Sequence, residues 1–385
     1  NKIEKFLKNA YQLHKNSKSI LPAHKRISIL KKVASLMAND ADNLAMLIAS
    51  EGGKPLIDAR VEVARAIDGV ETCAHDLSNI IGKQIPMGLT PASDNKLAFS
   101  IREPIGPVVA VSAFNHPLNL IVHQVAPAIA VGCPVIVKPA DDTPLCCQKF
   151  ISLLYQAGLP EEWASFAPCE IPVAQKLVTD PRVAFFSFIG SAKVGWYLKS
   201  QLAPGTRFAL EHGGAAPVIV CPTANTDEML PKLIKGGFYH SGQVCVSVQR
   251  VFVIKGDARS LAEKLSIEAK KLKVGNAIEE TTQCGPLIRP REVDRVESWV
   301  SDAIASGAQA LSGGKRISKT TYEPTVLLNP SSNDNVSKAE IFGPVICVYD
   351  CKSNEEAIDR ANSLEFAFQS AIFSNDLKES MYFFN

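Results

Sequence analysis

The chain has 385 residues, 46% of them hydrophobic, which allows two or three domains around a large core and excludes a single small binding module. Its 41 basic and 39 acidic residues are interspersed and leave a net charge of +2, so there is no electrostatic footprint for nucleic acid or an anionic membrane. The ten cysteines lie mostly in apolar runs such as Val131–Val137 and Pro344–Tyr349, and Cys146-Cys147 suits neither a zinc knuckle nor a disulfide, so reduced thiols in a cytoplasmic protein without a metal site are expected.

The opening Asn1–Lys8 is charged, and no window of 18 residues is free of charge and apolar throughout, so neither a secretory leader nor a membrane span is expected. Residues 2 to 80 read as helices: Ile27, Leu30, Val33, Ala34 and Met37 have helical spacing, then Leu44, Leu47 and Ile48, then, after the Gly52-Gly53 and Pro55 break, Val61, Ala64, Ile67, Asp68 and Glu71. From Gln84 the composition turns to Pro, Gly, Ser and Asp and leads into Lys96–Arg102, whose alternation predicts a strand with one exposed face. Such an excursion fits either an interface or an ordinary surface hairpin.

Beyond the Glu103–Pro107 turn the pattern becomes βαβα. Strands are predicted at Val108–Ala113, Val135–Lys138, Ala164–Ala167, Val183–Ile189, Arg207–Leu210 and Val218–Val220. Helices are predicted over Leu120–Val131, Pro144–Ala157 (capped by Asp142 or Thr143) and Ser191–Ser200. Continuous apolar strands alternating with helices mean a parallel sheet covered on both faces, with ligands at the carboxyl ends of its strands. A second α/β run follows, with helices over Asp227–Tyr239, Ala258–Leu272, Glu292–Ser306 and Glu355–Asn362, and strands at Arg250–Ile254, Thr325–Leu328 and Val345–Tyr349. The chain stops at Phe384-Asn385 inside a predicted helix, so a further C-terminal part is expected.

Residues able to do chemistry fall at strand ends and breaks. Cys245 stands on an irregular stretch after the helix end at Ser241-Gly242-Gln243, where a thiol is accessible to backbone N–H groups; a buried structural cysteine is its plainer alternative. Asn115 follows one strand and equally fits an Asx turn before Pro117. Lys138 and Asp141 end another strand and also read as a solvated end and a loop carboxylate. Gly190-Ser191 is a strand-to-helix turn without the full glycine-rich phosphate fingerprint. Glu211, between a strand and Gly213-Gly214, is harder to explain as a turn former.

Taken together the chain resembles the aldehyde dehydrogenase superfamily over essentially its whole length. The resemblance is carried by Ala113-Phe-Asn-His-Pro117, Val137-Lys-Pro-Ala140, Phe188-Ile-Gly-Ser191 with Gly195, Leu210-Glu-His-Gly-Gly214, Gly242-Gln-Val-Cys245 with Arg250, and Glu340-Ile-Phe-Gly-Pro344, in the family's order and with its 34-residue interval from Glu211 to Cys245. It implies an α/β fold: a Rossmann-like cofactor-binding domain over 1–85 and 105–213, a small β oligomerisation hairpin over 86–104, and an α/β catalytic domain over 214–385. It also implies NAD-dependent oxidation of an aldehyde to a carboxylate. Cys245 would be the nucleophile, Asn115 with the Cys245 N–H the oxyanion donors, and Glu211 the general base for thioester hydrolysis. Lys138 would hold the adenosine ribose, Gly190 and Ser191 the pyrophosphate, and Glu340 with Phe342 the nicotinamide ribose. Asp141 would accept ribose hydroxyls and repel a 2′-phosphate, which favours NAD over NADP.

The departures concern specificity. Phe114 replaces the usual Trp before Asn115, His212 replaces the Leu after Glu211, and Ala167–Pro172 replaces the Pro-Gly-x-Gly segment over the adenine. His116 and Arg65 could bind a small anionic aldehyde, and His116-Pro-Leu-Asn119 resembles the branches acting on lactaldehyde or phosphonoacetaldehyde; Arg65 also reads as a solvated helix charge. The rival readings are a CoA-acylating semialdehyde dehydrogenase, a cysteine esterase, and a non-catalytic binding protein. A homodimer or homotetramer is expected from the likeness of Lys96–Arg102 to the family's oligomerisation hairpin.

Overall fold

The computed structural model describes residues 2–16 and 20–384. Contacts divide the chain into two compact units, residues 1–44 with 61–211 and residues 45–60 with 212–385. In chain order the first part runs α1 (Lys2–Lys15), α2 (Ala23–Asn39), α3 (Ala41–Gly52), α4 (Leu56–His75), β1 (Gln84–Ile85), β2 (Ala98–Phe99), β3 (Val108–Val111), α5 (Asn119–Val131), β4 (Val135–Lys138), α6 (Pro144–Gln156), β5 (Ala164–Phe166), α7 (Ile171–Val178), β6 (Phe185–Ile189), α8 (Ala192–Ser200) and β7 (Arg207–Glu211). The second runs β8 (Pro217–Val220), α9 (Thr226–Phe238), β9 (Arg250–Ile254), α10 (Ala258–Lys271), α11 (Pro290–Ala305), β10 (Gln309–Ser312), β11 (Thr325–Leu328), α12 (Asn335–Lys338), β12 (Val345–Cys351), α13 (Asn354–Ala361), β13 (Ala371–Phe373) and α14 (Leu377–Phe384).

The first unit is built on a five-stranded sheet in the order β5-β4-β3-β6-β7, parallel throughout. Its apolar strands are sealed by helices, with Val109, Ile136, Phe186 and Phe188 packed with Leu7 of α1 and Leu177 of α7 in one core. The β1–β2 ribbon is a separate antiparallel pair, Gln84 opposite Phe99 and Ile85 opposite Ala98. It is shorter than the strand expected over Lys96–Arg102 because only two residues pair: Pro86 offers no N–H to extend the ladder, and on the other side the Ser100 N–H donates to the Lys83 carbonyl while the Ser100 hydroxyl, in place of a backbone carbonyl, accepts the Lys83 N–H.

The second unit holds a six-stranded sheet ordered β10-β11-β12-β9-β8-β13, with β10 antiparallel to β11 and the other pairs parallel. Because side chains alternate across a strand, Val251 and Val253 enter one apolar cluster while Phe252 and Ile254 enter the other, and both faces are covered. Residues 45–60 join this unit through bonds at their end: Leu56 N–H donates to the Ala277 carbonyl at 2.8 Å, and Arg60 makes a bidentate pair with Glu280 at 2.6 Å. No helix among the described residues is long and apolar enough to cross a membrane.

Most predicted elements lie within a residue or two of their expected bounds. On α4, however, the buried face is Ala59, Glu62, Val63, Ala66, Val70 and Ala74, while Val61 is 43% exposed. The expected stripe through Val61, Ala64 and Ile67 is the wrong face, since the true one contains a buried glutamate. The cap expected from Asp142 or Thr143 also differs: Thr143 occupies the N-cap position of α6, but its hydroxyl is buried without a hydrogen-bond partner. Strands β1, β10 and β13 and helices α7 and α12 had no counterpart in the sequence reading.

Candidate active site

In the second unit α9 ends at Phe238, and the chain turns through three consecutive residues of positive φ: His240 (48°), Ser241 (56°) and Gly242 (73°). Only the last is a glycine, and each of the other two carries a steric cost of about 1–2 kcal/mol that its surroundings must offset. A Cβ at Gly242 would come within 2.0 Å of the Gly343 carbonyl oxygen, so this position must be glycine for space as well as for conformation.

Side chains bolt the turn in place. The His240 N–H donates to Asp58 Oδ2 at 3.0 Å, and the Ser241 hydroxyl donates to the Gly285 carbonyl at 2.7 Å. Gln243 is buried and brackets the exit: its Nε2 donates to the carbonyls of His240 and Pro286, and its Oε1 accepts the Ile288 N–H at 2.9 Å. Cys245 follows, half-buried, at the second position of a turn closed by the Ser247 N–H donating to the Val244 carbonyl at 2.9 Å. Arg250 is 2% exposed and donates to the carbonyls of Ala215, Arg360 and Ala361, so it ties three segments of this unit together.

The same unit carries Glu340 and Phe342. The Gln249 amide pins their segment, donating to the Val336 and Ala339 carbonyls and accepting the Ile341 N–H at 2.8 Å. Burial pushes the Glu340 carboxyl up to about 7, with Arg295 pulling the other way, and Glu340 Oε1 is buried without a hydrogen-bond partner. A Cβ on Gly213 would lie 1.9 Å from that oxygen, which explains a glycine there. Gly242, Val244, Glu340, Phe342 and Gly343 line one pocket, so the residue before Cys245 and the Glu340 segment share walls.

In the first unit Asn115 (4% exposed) and His116 (8%) precede α5. Their turn is held by Glu62 of α4, 1% exposed, whose Oε1 accepts the N–H groups of Leu118 and Asn119 at 2.9 and 3.0 Å. Lys138, at the end of β4, donates to the Pro139 carbonyl at 3.0 Å and pairs with Asp141 at 2.5 Å, so these two predicted residues meet. Gly190 and Ser191 join β6 to α8, and the Gly190 N–H donates to the Glu211 carbonyl at 3.1 Å. A Cβ at Gly190 would press on the Phe188 ring at 2.7 Å, a close approach that suits the tight turn.

Glu211 ends β7 with its side chain exposed, and Arg65 is exposed on α4. Both act on His123 of α5. The ring keeps surface exposure, yet crowding by protein atoms is the largest influence holding its pKa down; the Arg65 charge adds to that and Glu211 opposes it. Sequence reasoning missed Asp58, Glu62, Gln243 and His123. Of these only Gln243 carried a signal, as part of the Gly242–Cys245 motif.

The Aldehyde dehydrogenase family profile matches residues 1–385. The chain is 34% identical over 365 residues to the 3-sulfolactaldehyde dehydrogenase of Priestia aryabhattai, covering 94% of this chain and 76% of that one. It is 38% identical over 370 residues to the lactaldehyde dehydrogenase of Methanocaldococcus jannaschii, covering 94% and 77%. The crystal structure of glyceraldehyde-3-phosphate dehydrogenase from the same archaeon, complexed with NADP, superposes with a TM-score of 0.93 at 35% identity, over 99% of this chain and 82% of that one. The chain therefore belongs to the aldehyde dehydrogenase family. It is an oxidoreductase of aldehydes, and the family works with NAD or NADP.

Proposed function

We propose that this enzyme oxidises a small anionic aldehyde to the carboxylate with NAD, through a covalent intermediate on Cys245. The observation that carries the reading is the left-handed turn, bolted at His240, Ser241 and Gln243, that leads directly into Cys245. In this reading the Cys245 thiolate attacks the aldehyde carbonyl. The Asn115 amide and the Cys245 N–H then steady the oxyanion, each donor worth about 3–4 kcal/mol. A bound nicotinamide supplies the two-electron oxidant that converts the adduct to a thioester. Glu211 takes the proton of the water that hydrolyses it, consistent with an exposed carboxylate at a strand end.

The residues fit a dinucleotide chemically. Glu340 Oε1 is a buried acceptor that lacks a donor, which a ribose hydroxyl would supply. Lys138, 8% exposed, aims its ammonium into the same strand end as Asp141. Gly190 and Ser191 lead into the N-terminus of α8, suited to a pyrophosphate, while Phe342 flanks Glu340 in the pocket. The Asp141 charge disfavours a 2′-phosphate, hence NAD over NADP. The anionic substrate rests on Arg65 and His116 and on the likeness to a 3-sulfolactaldehyde dehydrogenase. By the same reading, residues 1–85 and 105–213 form the cofactor domain, 86–104 an oligomerisation hairpin, and 214–385 the catalytic domain.

One assay tests this. Formation of reduced nicotinamide is followed with lactaldehyde and 3-sulfolactaldehyde, with either cofactor and with or without coenzyme A. Turnover that needs an aldehyde, vanishes in Cys245→Ala and is independent of coenzyme A is expected. Turnover surviving in Cys245→Ala removes the nucleophile, and tighter binding of NADP removes the Asp141 argument. An Arg65→Ala enzyme that keeps the preference for the charged aldehyde removes the anionic pocket.

A further inference from the structure

Asp58 has no part in the chemistry described above. It lies in the first turn of α4, half-buried, with Oδ2 accepting the His240 N–H at 3.0 Å. His240 opens the run of three positive-φ residues, and such a run persists only where surrounding contacts over-determine it. Ser241 and Gln243 anchor its middle and exit through neutral groups; Asp58 anchors its entry through a carboxylate.

The groups facing that carboxylate come from every neighbouring segment. Lys54 precedes α4 and Lys235 lies on α9, and both charges favour the ionised form, as does the His240 N–H. Tyr239 donates from its hydroxyl to the Asp58 carbonyl at 3.4 Å, and its ring centroid lies 5.9 Å from the Lys54 ammonium. Cys284 sits on the far side, bonded to Ser241; its thiol is pushed up to about 11, chiefly by burial and further by Asp58.

We infer that Asp58 is a positioning residue for the nucleophile loop: its ionised carboxylate holds the His240–Gly242 turn that sets where Cys245 stands, and protonation loosens that hold. The inference rests on Cys245 being the nucleophile. An ionised acceptor makes roughly twice as strong a hydrogen bond as a neutral one, so losing the charge weakens the anchor without deleting it. Burial pushes the Asp58 carboxyl up to about 6 in spite of its three favourable neighbours, so the loosening falls in the mildly acidic range. The same burial makes the ionised form a burden on the fold at neutral pH.

The test compares the wild type with Asp58→Asn, which keeps shape and an acceptor oxygen but never ionises, and with Asp58→Glu. Expected in the wild type at saturating NAD is a kcat that falls as pH drops through about 6, while KM for the aldehyde stays nearly constant. Asp58→Asn should lose about tenfold in kcat at neutral pH, should lack that acid limb, and should alkylate more slowly at Cys245 with iodoacetamide. Its thermal midpoint at neutral pH should equal or exceed that of the wild type, and amide exchange over residues 239–245 should quicken. Asp58→Glu should restore part of the acid limb. A wild-type acid limb and wild-type exchange in Asp58→Asn would overturn the inference, as would a kcat loss accompanied by a lowered midpoint. Amide exchange needs no turnover, so an active Cys245→Ala enzyme would defeat the nucleophile reading separately from the anchoring of the turn.

Discussion

Glu340 is a buried carboxylate whose protonation bears on stability and, if it holds the ribose as proposed, on cofactor binding. Its carboxyl is raised from 4.5 to about 7 by burial, so the folded protein holds its proton more tightly than the unfolded chain does. A raised folded pKa contributes stability that is complete below about 4.5 and is lost as pH climbs through about 7. The full swing is about 3 kcal/mol. Glu340→Gln should therefore unfold at a higher temperature than the wild type at pH above 7 and match it near pH 4, as calorimetry at the two ends would show. The same substitution should weaken dinucleotide binding, because ribose hydroxyls find their best acceptor in the ionised form. Titration of wild-type protein with NAD should show affinity rising through about pH 7; a flat profile in the wild type would detach Glu340 from the ribose. The carboxylate was visible in the Glu340–Pro344 motif, but its orphaned oxygen was not, since that depends on Gly213, more than a hundred residues earlier, leaving room for it.

At the scale of elements, α4 was the hardest helix to read. Asp58 and Glu62 stand one turn apart on it and look like the ordinary charges of a solvated face, yet each docks backbone N–H groups within its own unit. A hydrophobic stripe cannot reveal a face whose central member is a buried glutamate, and the apolar spacing points to the Val61 face instead. The sheet strands behaved differently: Arg250–Ile254 and Thr325–Leu328 were located to the residue, because continuous apolar runs bounded by polar turns have few other solutions. The left-handed turn at His240 and Ser241 was legible only as a break, since serine does not favour positive φ and histidine favours it only weakly. Glu62 supports a sharp expectation. Truncation in Glu62→Ala leaves two buried N–H groups without their acceptor, at about 1–3 kcal/mol each, and should show in denaturant unfolding. Glu62→Gln keeps an acceptor but removes a negative charge from the start of α5, a loss of about 1 kcal/mol. If the turn before α5 positions the Asn115 amide, Glu62→Gln should also lower kcat several-fold with little change in KM. Unchanged kcat would leave Glu62 a purely structural cap.

At the scale of the whole molecule, the β1–β2 ribbon raises the question of assembly. Leu97, Phe99 and Ile101 alternate along it and are 78%, 67% and 65% exposed. Two strands paired over two residues cannot stabilise themselves in water, and a run of large apolar side chains gains about 1.5–3 kcal/mol per residue when buried. The alternation was legible in the sequence as a strand with one exposed face. Which of its two faces meets solvent was not, because alternation marks two faces without saying which one is buried. If the ribbon joins copies of this chain, the wild type should run as a dimer or tetramer in light scattering after gel filtration. Leu97→Asp with Phe99→Asp should shift it to a monomer with unchanged helix and strand content. Because these substitutions lie outside the Cys245 loop, NAD affinity measured on the monomer should remain close to that of the assembled protein. A wild-type monomer, or an assembly indifferent to both aspartates, would assign the ribbon's apolar face to some other role.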